Sequence, residues 1–151
     1  MKDIQPRLIR LFKEGYCTPQ IGKIARELDE PAATIHYNIK KLENSGTIRT
    51  YKAVFDYKKI DEGFCAYMLI ALSSSEYAEP ERVAAQLSKH REVESVDILA
   101  GDWELLLKIR TKGQEEFFEF LKEVVAKEKG IENTNSIISL KQVKTEFVLT
   151  T

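Results

Sequence analysis

The sequence predicts an α+β fold in which an N-terminal winged helix-turn-helix domain, residues 1–60, precedes a ferredoxin-like βαββαβ domain, residues 61–151. Three observations lead to this prediction. Apolar residues recur at helical spacing in three short segments before Gly46. Further along, apolar and β-branched residues form runs with the length and spacing of strands. The charge also changes sign, because residues 1–60 carry 12 basic and 7 acidic side chains, a net +5, whereas residues 61–151 carry a net −6.

Composition excludes several classes of protein. A chain of 151 residues with 43% hydrophobic residues can bury a core, so disorder is not its main state. No apolar run reaches the roughly 18 residues of a transmembrane helix, and the N-terminus does not resemble a signal peptide, so we expect a cytoplasmic protein without a membrane partner. Cys17 and Cys65 form no C-x-x-C pair and have no nearby His, which predicts two buried free thiols and no metal site.

Three short helices are predicted in the N-terminal half. The first is capped by Asp3 and ends near Gly15; the second has Thr18 as its N-cap and Pro19 as its first residue. The third follows the break at residues 29–31 and ends at Gly46. Each has one apolar stripe, formed in turn by Ile4, Leu8, Leu11 and Phe12; by Ile21, Ile24, Ala25 and Leu28; and by Ile35, Ile39 and Leu42.

The second and third helices have the spacing of a helix-turn-helix, and the alternating segment 47–60 is predicted to be its wing and linker strand. The outward side of the third helix, with the wing, gives the candidate DNA-binding residues. Small residues near the helix start allow close approach to base edges, and the cations would meet phosphates. An ordinary surface helix shows the same residue types, but the helix spacing and the +5 charge favour DNA. The candidates are Ala33, Thr34, His36, Tyr37, Lys40, Lys41, Arg49 and Lys52.

The C-terminal half predicts six elements in the order βαββαβ, an antiparallel sheet covered by two helices on one face. They are a strand at Phe64–Ser73, a helix at Pro80–Lys89, strands at Val93–Leu99 and Trp103–Arg110, a helix at Gln114–Lys129 and a strand at Thr134–Val143. The second helix is expected to be the longest and to bury Phe117, Phe118, Leu121, Val124 and Val125. Because the strands are apolar on both sides, the uncovered face predicts a homodimer.

The order of these elements resembles that of the Lrp/AsnC (feast/famine) family of transcription regulators. Three segments carry the resemblance: IGKIARELDEPAATIHYNIKKLENSGTIRTYKAVFD, GDWELLLKI and GIENTNSIISLKQVK. It implies a regulator that binds operator DNA through its N-terminal domain, dimerises through its C-terminal domain, and assembles further, commonly to an octamer. It also implies an amino-acid effector bound between C-terminal domains and no other cofactor. The implied effector-binding residues are Leu99, Gly101, Asp102, Thr134, Asn135 and Ser136.

The chain departs from the family pattern at four positions in two regions. Pro31 stands where a serine usually starts the recognition helix, and Asn38 stands where an arginine is common, which bears on the operator sequence. Trp103 and Glu104 replace the usual Tyr-Asp pair after the hairpin turn, which bears on the shape of the effector pocket.

Two other function classes compete with DNA binding by a regulator. Catalysis is disfavoured because no phosphate-binding loop or nucleophile motif occurs, and because His36 lies in the predicted recognition helix and His90 at the end of another helix. A ligand-binding or protein-interaction module with a winged helix that no longer reads specific DNA is the second alternative. It predicts weak nucleic-acid binding without sequence preference, and the clustered cations of the third helix and wing argue against it.

Overall fold

In the computed structural model, the described residues are 3–145, 148 and 149. They divide into two compact units, an N-terminal unit that ends at Val54 and a C-terminal unit that begins at Phe55. The sequence predicts this boundary later, at residue 60. The earlier division agrees with the position of Tyr57, whose ring lies under the guanidinium of Arg110 in the C-terminal unit, 3.5 Å from Cζ to the ring centroid.

The N-terminal unit contains three helices, α1 (Gln5–Lys13), α2 (Ile21–Leu28) and α3 (Ala32–Asn44). The Asp3 carboxylate accepts a hydrogen bond from the first backbone N–H of α1, at 3.0 Å. Asp29 ends α2 in the left-handed region, with φ of 51°, and Gly46 follows α3 with φ of 73°. These helix ends agree with the prediction, including Gly46 as the C-terminal cap.

The predicted start of α2 at Thr18 and Pro19 is wrong. The helix begins at Ile21, with Gln20 as its N-cap and no side-chain hydrogen bond to the helix end. The amide of Ile21 instead donates to the carbonyl of Pro19, at 3.1 Å. Proline fits the first turn of a helix, but it fits an extended approach to the helix equally well.

The predicted wing strand is also wrong. Residues 47–56 have no regular secondary structure, and Tyr57–Ile60 form a 3-10 turn capped by the side chain of Asp56. The alternation in this segment is real, because Tyr51, Ala53 and Phe55 are half-buried while the residues between them are exposed. A strand also needs a partner for its backbone groups, and none of the described residues pairs with this segment.

The C-terminal unit has the predicted βαββαβ order. Its elements are β1 (Phe64–Leu72), α4 (Pro80–Leu87), β2 (Val93–Ile98), β3 (Leu105–Thr111), α5 (Gln114–Glu123) and β4 (Ile131–Ser139). These strands form one antiparallel sheet in the order β2-β3-β1-β4. Two further short strands, β5 (Lys144–Thr145) and β6 (Val148–Leu149), pair with each other.

One face of the sheet and both helices enclose the core of this unit. Alternate residues of β1 and β3 point to this face, as expected for a pleated strand. The fully buried side chains include Met68 and Ile70 of β1, Leu107 of β3, and Val83 and Leu87 of α4. The two helices therefore cover the same face, as the sequence predicted.

The last helix and strand differ from the prediction. The helix α5 ends at Glu123, before a separate 3-10 turn, so α3 is the longer helix. Phe120 is buried in place of Phe118, which is 55% exposed, because Phe120 lies one turn after Phe117 whereas Phe118 is rotated away from the core face. The strand β4 begins at Ile131 and ends at Ser139, before the exposed side chain of Leu140.

Candidate nucleic-acid interface and ligand site

The helix α3 buries one side chain, Ile35, and exposes the opposite side. Each candidate DNA-binding residue is exposed, both on α3 and in the segment after it, and Tyr37 is 69% exposed. Pro31 precedes the helix in an extended conformation and supplies no capping hydroxyl. The side chain of Asn38 donates to the carbonyl of Thr34 on the preceding turn, at 2.8 Å. The N-terminal part of α3 is therefore an accessible surface of small and hydrogen-bonding side chains.

The cations near the end of α3 are not equivalent. The ammonium of Lys40 lies 2.6 Å from Oε2 of Glu43, whereas Lys41 makes no ion pair with any residue that the structure describes. The same holds for Arg49 within the described part of the chain. We therefore distinguish a paired cation, Lys40, from the open cations Lys41 and Arg49.

Glu43 also accepts a hydrogen bond from the hydroxyl of Tyr51, at 3.1 Å to Oε1. The hydrogen bond to Glu43 raises the pKa of Lys40, and the hydrogen bond from Lys40 lowers the pKa of Glu43. Partial burial, followed by the bond to Glu43, raises the pKa of Tyr51. Sequence reasoning missed Glu43 and Tyr51, although the i, i+3 spacing of Lys40 and Glu43 was a usable signal.

The side chains of Lys40, Glu43 and Tyr51 border a half-open cavity of about 320 Å³ inside the N-terminal unit. Its other walls come from the segment before α2, from the first residue of α2 and from the middle of α3. They are Cys17, Thr18, Pro19, Ile21, His36 and Ile39. His36 and Lys40, both predicted to face DNA, thus also border this cavity.

The predicted ligand-binding residues come from the turn after β2 and from β4. Gly101 and Asp102 are exposed in the turn after β2, where Gly101 has φ of 149°. Thr134 pairs with Ile70 of β1, and Leu105, just after the turn, pairs with Ile70 from the other side. Two strand spacings separate Thr134 from Leu105, about 10 Å, so the turn and this part of β4 lie at the same end of the sheet.

The three β4 candidates do not point the same way. Thr134 and Ser136 pair with core-facing residues of β1 and so lie on the face that carries the helices, whereas Asn135 pairs with Leu69 on the opposite face. Thr134 is half-buried, and both Asn135 and Ser136 are exposed. The side chains of Thr134 and Ser136 therefore point to the helix face, and that of Asn135 points to the opposite face.

Glu104 holds the turn in place, a role that sequence reasoning missed. Its carboxylate accepts a hydrogen bond from the backbone N–H of Leu72, at 2.7 Å. Its backbone N–H donates to the carbonyl of Ile70, and its carbonyl accepts from the N–H of Leu99. The residue that departs from the family pattern thus fixes the turn to the end of β1.

Comparison with known proteins identifies the family. A model of the Lrp/AsnC ligand binding domain matches residues 65–149. The HTH-type transcriptional regulator FL11 of Pyrococcus abyssi is 33% identical over 95% of this chain and 92% of its own length. The chain belongs to the Lrp/AsnC family. The predicted family and the class of transcriptional regulator are confirmed, and the enzyme alternative is excluded on the same grounds.

Two solved structures have the same fold. An AsnC family transcriptional regulator from Agrobacterium tumefaciens superposes with a TM-score of 0.76 at 22% identity, covering 99% of this chain and 96% of that one. A transcriptional regulator from Neisseria meningitidis, solved as a complex with L-Met, superposes with a TM-score of 0.74 at 23% identity, covering 91% and 88%. At this level of identity the likeness establishes the fold.

Two further features concern the described residues alone. None of their helices has the length and apolar character required to cross a bilayer. Nor do they bring together three or more His, Cys, Asp or Glu side chains in a way that could hold a metal ion.

Proposed function

We propose that this Lrp/AsnC family member is a sequence-specific DNA-binding regulator whose operator binding is modulated by an amino acid bound between C-terminal domains. The observation that carries the proposal is the exposed surface of α3 in a region of net positive charge. In this proposal α2, the turn at residues 29–31 and α3 act as a helix-turn-helix, with residues 1–60 binding DNA and residues 61–151 binding the effector and the partner subunit.

The helix α3 would lie in the major groove with its N-terminal residues toward the bases. Ala33 allows close approach, Thr34 can hydrogen-bond a base edge or phosphate, and Tyr37 can donate a hydrogen bond. Lys41 and Arg49 carry no competing ion pair among the described residues, so we assign the phosphate contacts first to them. The segment after α3 would act as the wing without forming a strand.

The effector would bind at the end of the sheet that holds the turn and β4. Asp102 supplies a carboxylate for an ammonium group, and the hydroxyls of Thr134 and Ser136 can donate to a carboxylate. The relative from Neisseria meningitidis crystallised with L-Met supports an amino acid as the class of ligand. Because Asn135 faces the other way, we assign its ligand contact to another subunit.

The uncovered face of the sheet supports a homodimer. Tyr67, Leu69 and Leu106 are half-buried on this face, and Ile137 is 51% exposed beside them. Burying this face against a second copy would remove apolar surface from water and pair two DNA-binding domains for two half-sites. An octamer would require additional contacts between dimers.

Binding of the full chain to the DNA upstream of its own gene, against a scrambled duplex of equal length, tests the proposal at about physiological salt. We expect a preference for the genuine sequence that shifts when one amino acid is added, and loss of that shift in Asp102→Ala. Equal weak binding to both duplexes, with other genomic fragments giving the same result, would contradict sequence-specific binding and favour a protein-interaction module.

The phosphate contacts have a separate test. The double variant Lys41→Ala/Arg49→Ala should lower the salt slope of DNA binding by up to about 2 units, because each contact contributes about 0.9. The control Lys112→Ala/Lys129→Ala removes the same charge from exposed positions of the C-terminal unit. An equal change in slope for both double variants would show that these cations contribute only through net charge.

A further inference from the structure

Glu43 occupies a central position between a helix cation and the segment after α3. One carboxylate oxygen accepts the Lys40 ammonium at 2.6 Å, and the other accepts the Tyr51 hydroxyl at 3.1 Å. Tyr51 is half-buried, and the Glu43 side chain is 26% exposed against 56% for Lys40. The carboxylate is therefore held from two sides, whereas the lysine that it binds lies on the surface.

This arrangement directs Lys40 along the helix. Glu43 is one turn closer to the C-terminus of α3, so the ion pair draws the ammonium away from the end that carries Ala33 and Thr34. The ion pair between Lys40 and the Glu43 carboxylate must break before Lys40 can neutralise a phosphate. Its neighbour Lys41 makes no ion pair with a described residue and can contact a phosphate directly.

We propose that Glu43 is a positioning residue that limits sequence-independent DNA binding by withholding Lys40 from the phosphate backbone, with Tyr51 holding the carboxylate in place. This inference rests on the proposed function. Phosphate contacts strengthen binding to every sequence, whereas base contacts select among sequences. Keeping one helix cation out of the phosphate contacts therefore lowers background binding without altering the base-reading residues.

The ion pair between Lys40 and Glu43 does not depend on pH near neutrality. The hydrogen bond from Lys40 lowers the pKa of Glu43, and the pKa of Lys40 is raised in return. Both groups thus remain charged around neutral pH.

Salt titrations on a random-sequence duplex test the inference with the full chain. In Glu43→Gln the freed Lys40 should add one phosphate contact, so that the salt slope steepens by about 0.9 and binding tightens several-fold. Lys40→Ala alone should leave the wild-type slope nearly unchanged. In the double variant Lys40→Ala/Glu43→Gln the gain should disappear. Tyr51→Phe, which keeps the net charge, should give a smaller gain in the same direction.

Glu27→Gln, at an exposed position of α2, controls for the loss of a negative charge. A slope reduced by about 0.9 in Lys40→Ala would overturn the inference, since Lys40 would then contact phosphate in spite of Glu43. An equal gain in Glu27→Gln, or a gain that survives in the double variant, would show that direct repulsion of DNA by the carboxylate is the cause.

The two proposals fail in different ways. Wild-type protein that binds no duplex at low salt would refute the proposed function and this inference with it. Wild-type protein that binds normally, with Glu43→Gln unchanged, would refute only the role of Glu43. Lys40→Ala keeps the test decisive if Glu43→Gln does not fold, because the alanine variant needs no rearrangement of α3.

Discussion

The two units bury apolar surface to very different extents. Among the described apolar side chains that are buried, Ile35 is the one from the N-terminal unit, whereas the others belong to the C-terminal unit. The apolar stripe of α1 stays partly open, with Ile4 51% exposed and Phe12 37% exposed. A sheet covered by two helices encloses a core, but three short helices have too little interior to do so.

This difference indicates a division of labour between stability and recognition. The C-terminal unit should unfold as a cooperative body, whereas the N-terminal unit should open at lower free energy because few side chains hold it closed. Its exposed side chains are then available for DNA. The following predictions test this contrast, from the largest expected effect to the smallest.

The largest effect is expected from the centre of the C-terminal core. Leu107→Ala removes a fully buried side chain, and such truncations lower the free energy of unfolding by about 2–5 kcal/mol. The single tryptophan, Trp103, lies in the same unit and reports its denaturant unfolding by fluorescence. Ile35→Ala should destabilise only the N-terminal unit and leave the Trp103 transition in place. If both variants shift the Trp103 transition equally, the units do not unfold independently.

A smaller effect is expected from the charged cluster on the other face of the sheet. Oε2 of Glu94 lies 3.2 Å from the Lys108 ammonium and 3.0 Å from Nη2 of Arg110, whose side chain is 6% exposed. Arg110 also donates to the side chain of Gln142, at 2.8 Å. Glu94→Gln leaves two poorly solvated cations without their carboxylate, so we expect a loss of about 3 kcal/mol in the free energy of unfolding.

A matched control for Glu94→Gln lies two residues earlier. Glu92→Gln removes one of the two carboxylates that pair with Arg91, whose side chain is 81% exposed and which keeps Glu116 as a partner. Ion pairs of such exposed cations contribute about 0–1 kcal/mol. Both losses are measured by the same Trp103 transition. Similar losses in the two variants would mean that burial does not set the strength of the Glu94 cluster.

The sequence predicts the parts of the fold that local pattern controls. The order βαββαβ follows from apolar runs and turns, and the end of α3 follows from Gly46. The wing strand fails because strand formation depends on a partner segment that sequence alternation does not reveal. The sequence pattern assigns Phe118 to the core because adjacent aromatic residues look alike in sequence, whereas rotation about the α5 axis separates Phe118 from Phe120.

The exposure of the candidate DNA-binding residues is predictable from the sequence, whereas the contacts among their side chains are not. Every predicted DNA-binding residue is exposed, yet only the structure shows that Glu43 binds Lys40 and that Tyr51 binds Glu43. The division of β4 is different, because strand alternation alone places Asn135 opposite Ser136. That part of the site could have been resolved from the sequence by applying the two-residue period.

The smallest perturbation uses the two thiols as probes of the two units. Cys65 is 2% exposed, which confirms the predicted burial, whereas Cys17 is half-buried beside the cavity of the N-terminal unit, which corrects it. Burial raises the pKa of Cys65, although Arg110 and Lys108 partly offset the effect. In the native protein we expect a disulfide-exchange reagent to modify Cys17 at least about tenfold faster than Cys65.

The variants Cys17→Ser and Cys65→Ser assign the two rates, and the pH dependence gives a second readout. Because the folded-state pKa of Cys65 is raised, its contribution to stability is present below the ordinary thiol pKa and is lost as pH rises through the raised value. Because Cys65 is buried, its modification should follow opening of the C-terminal unit and accelerate with denaturant. Fast modification of Cys65 in native protein, independent of denaturant, would show that its face of the sheet is no more closed than the surroundings of Cys17.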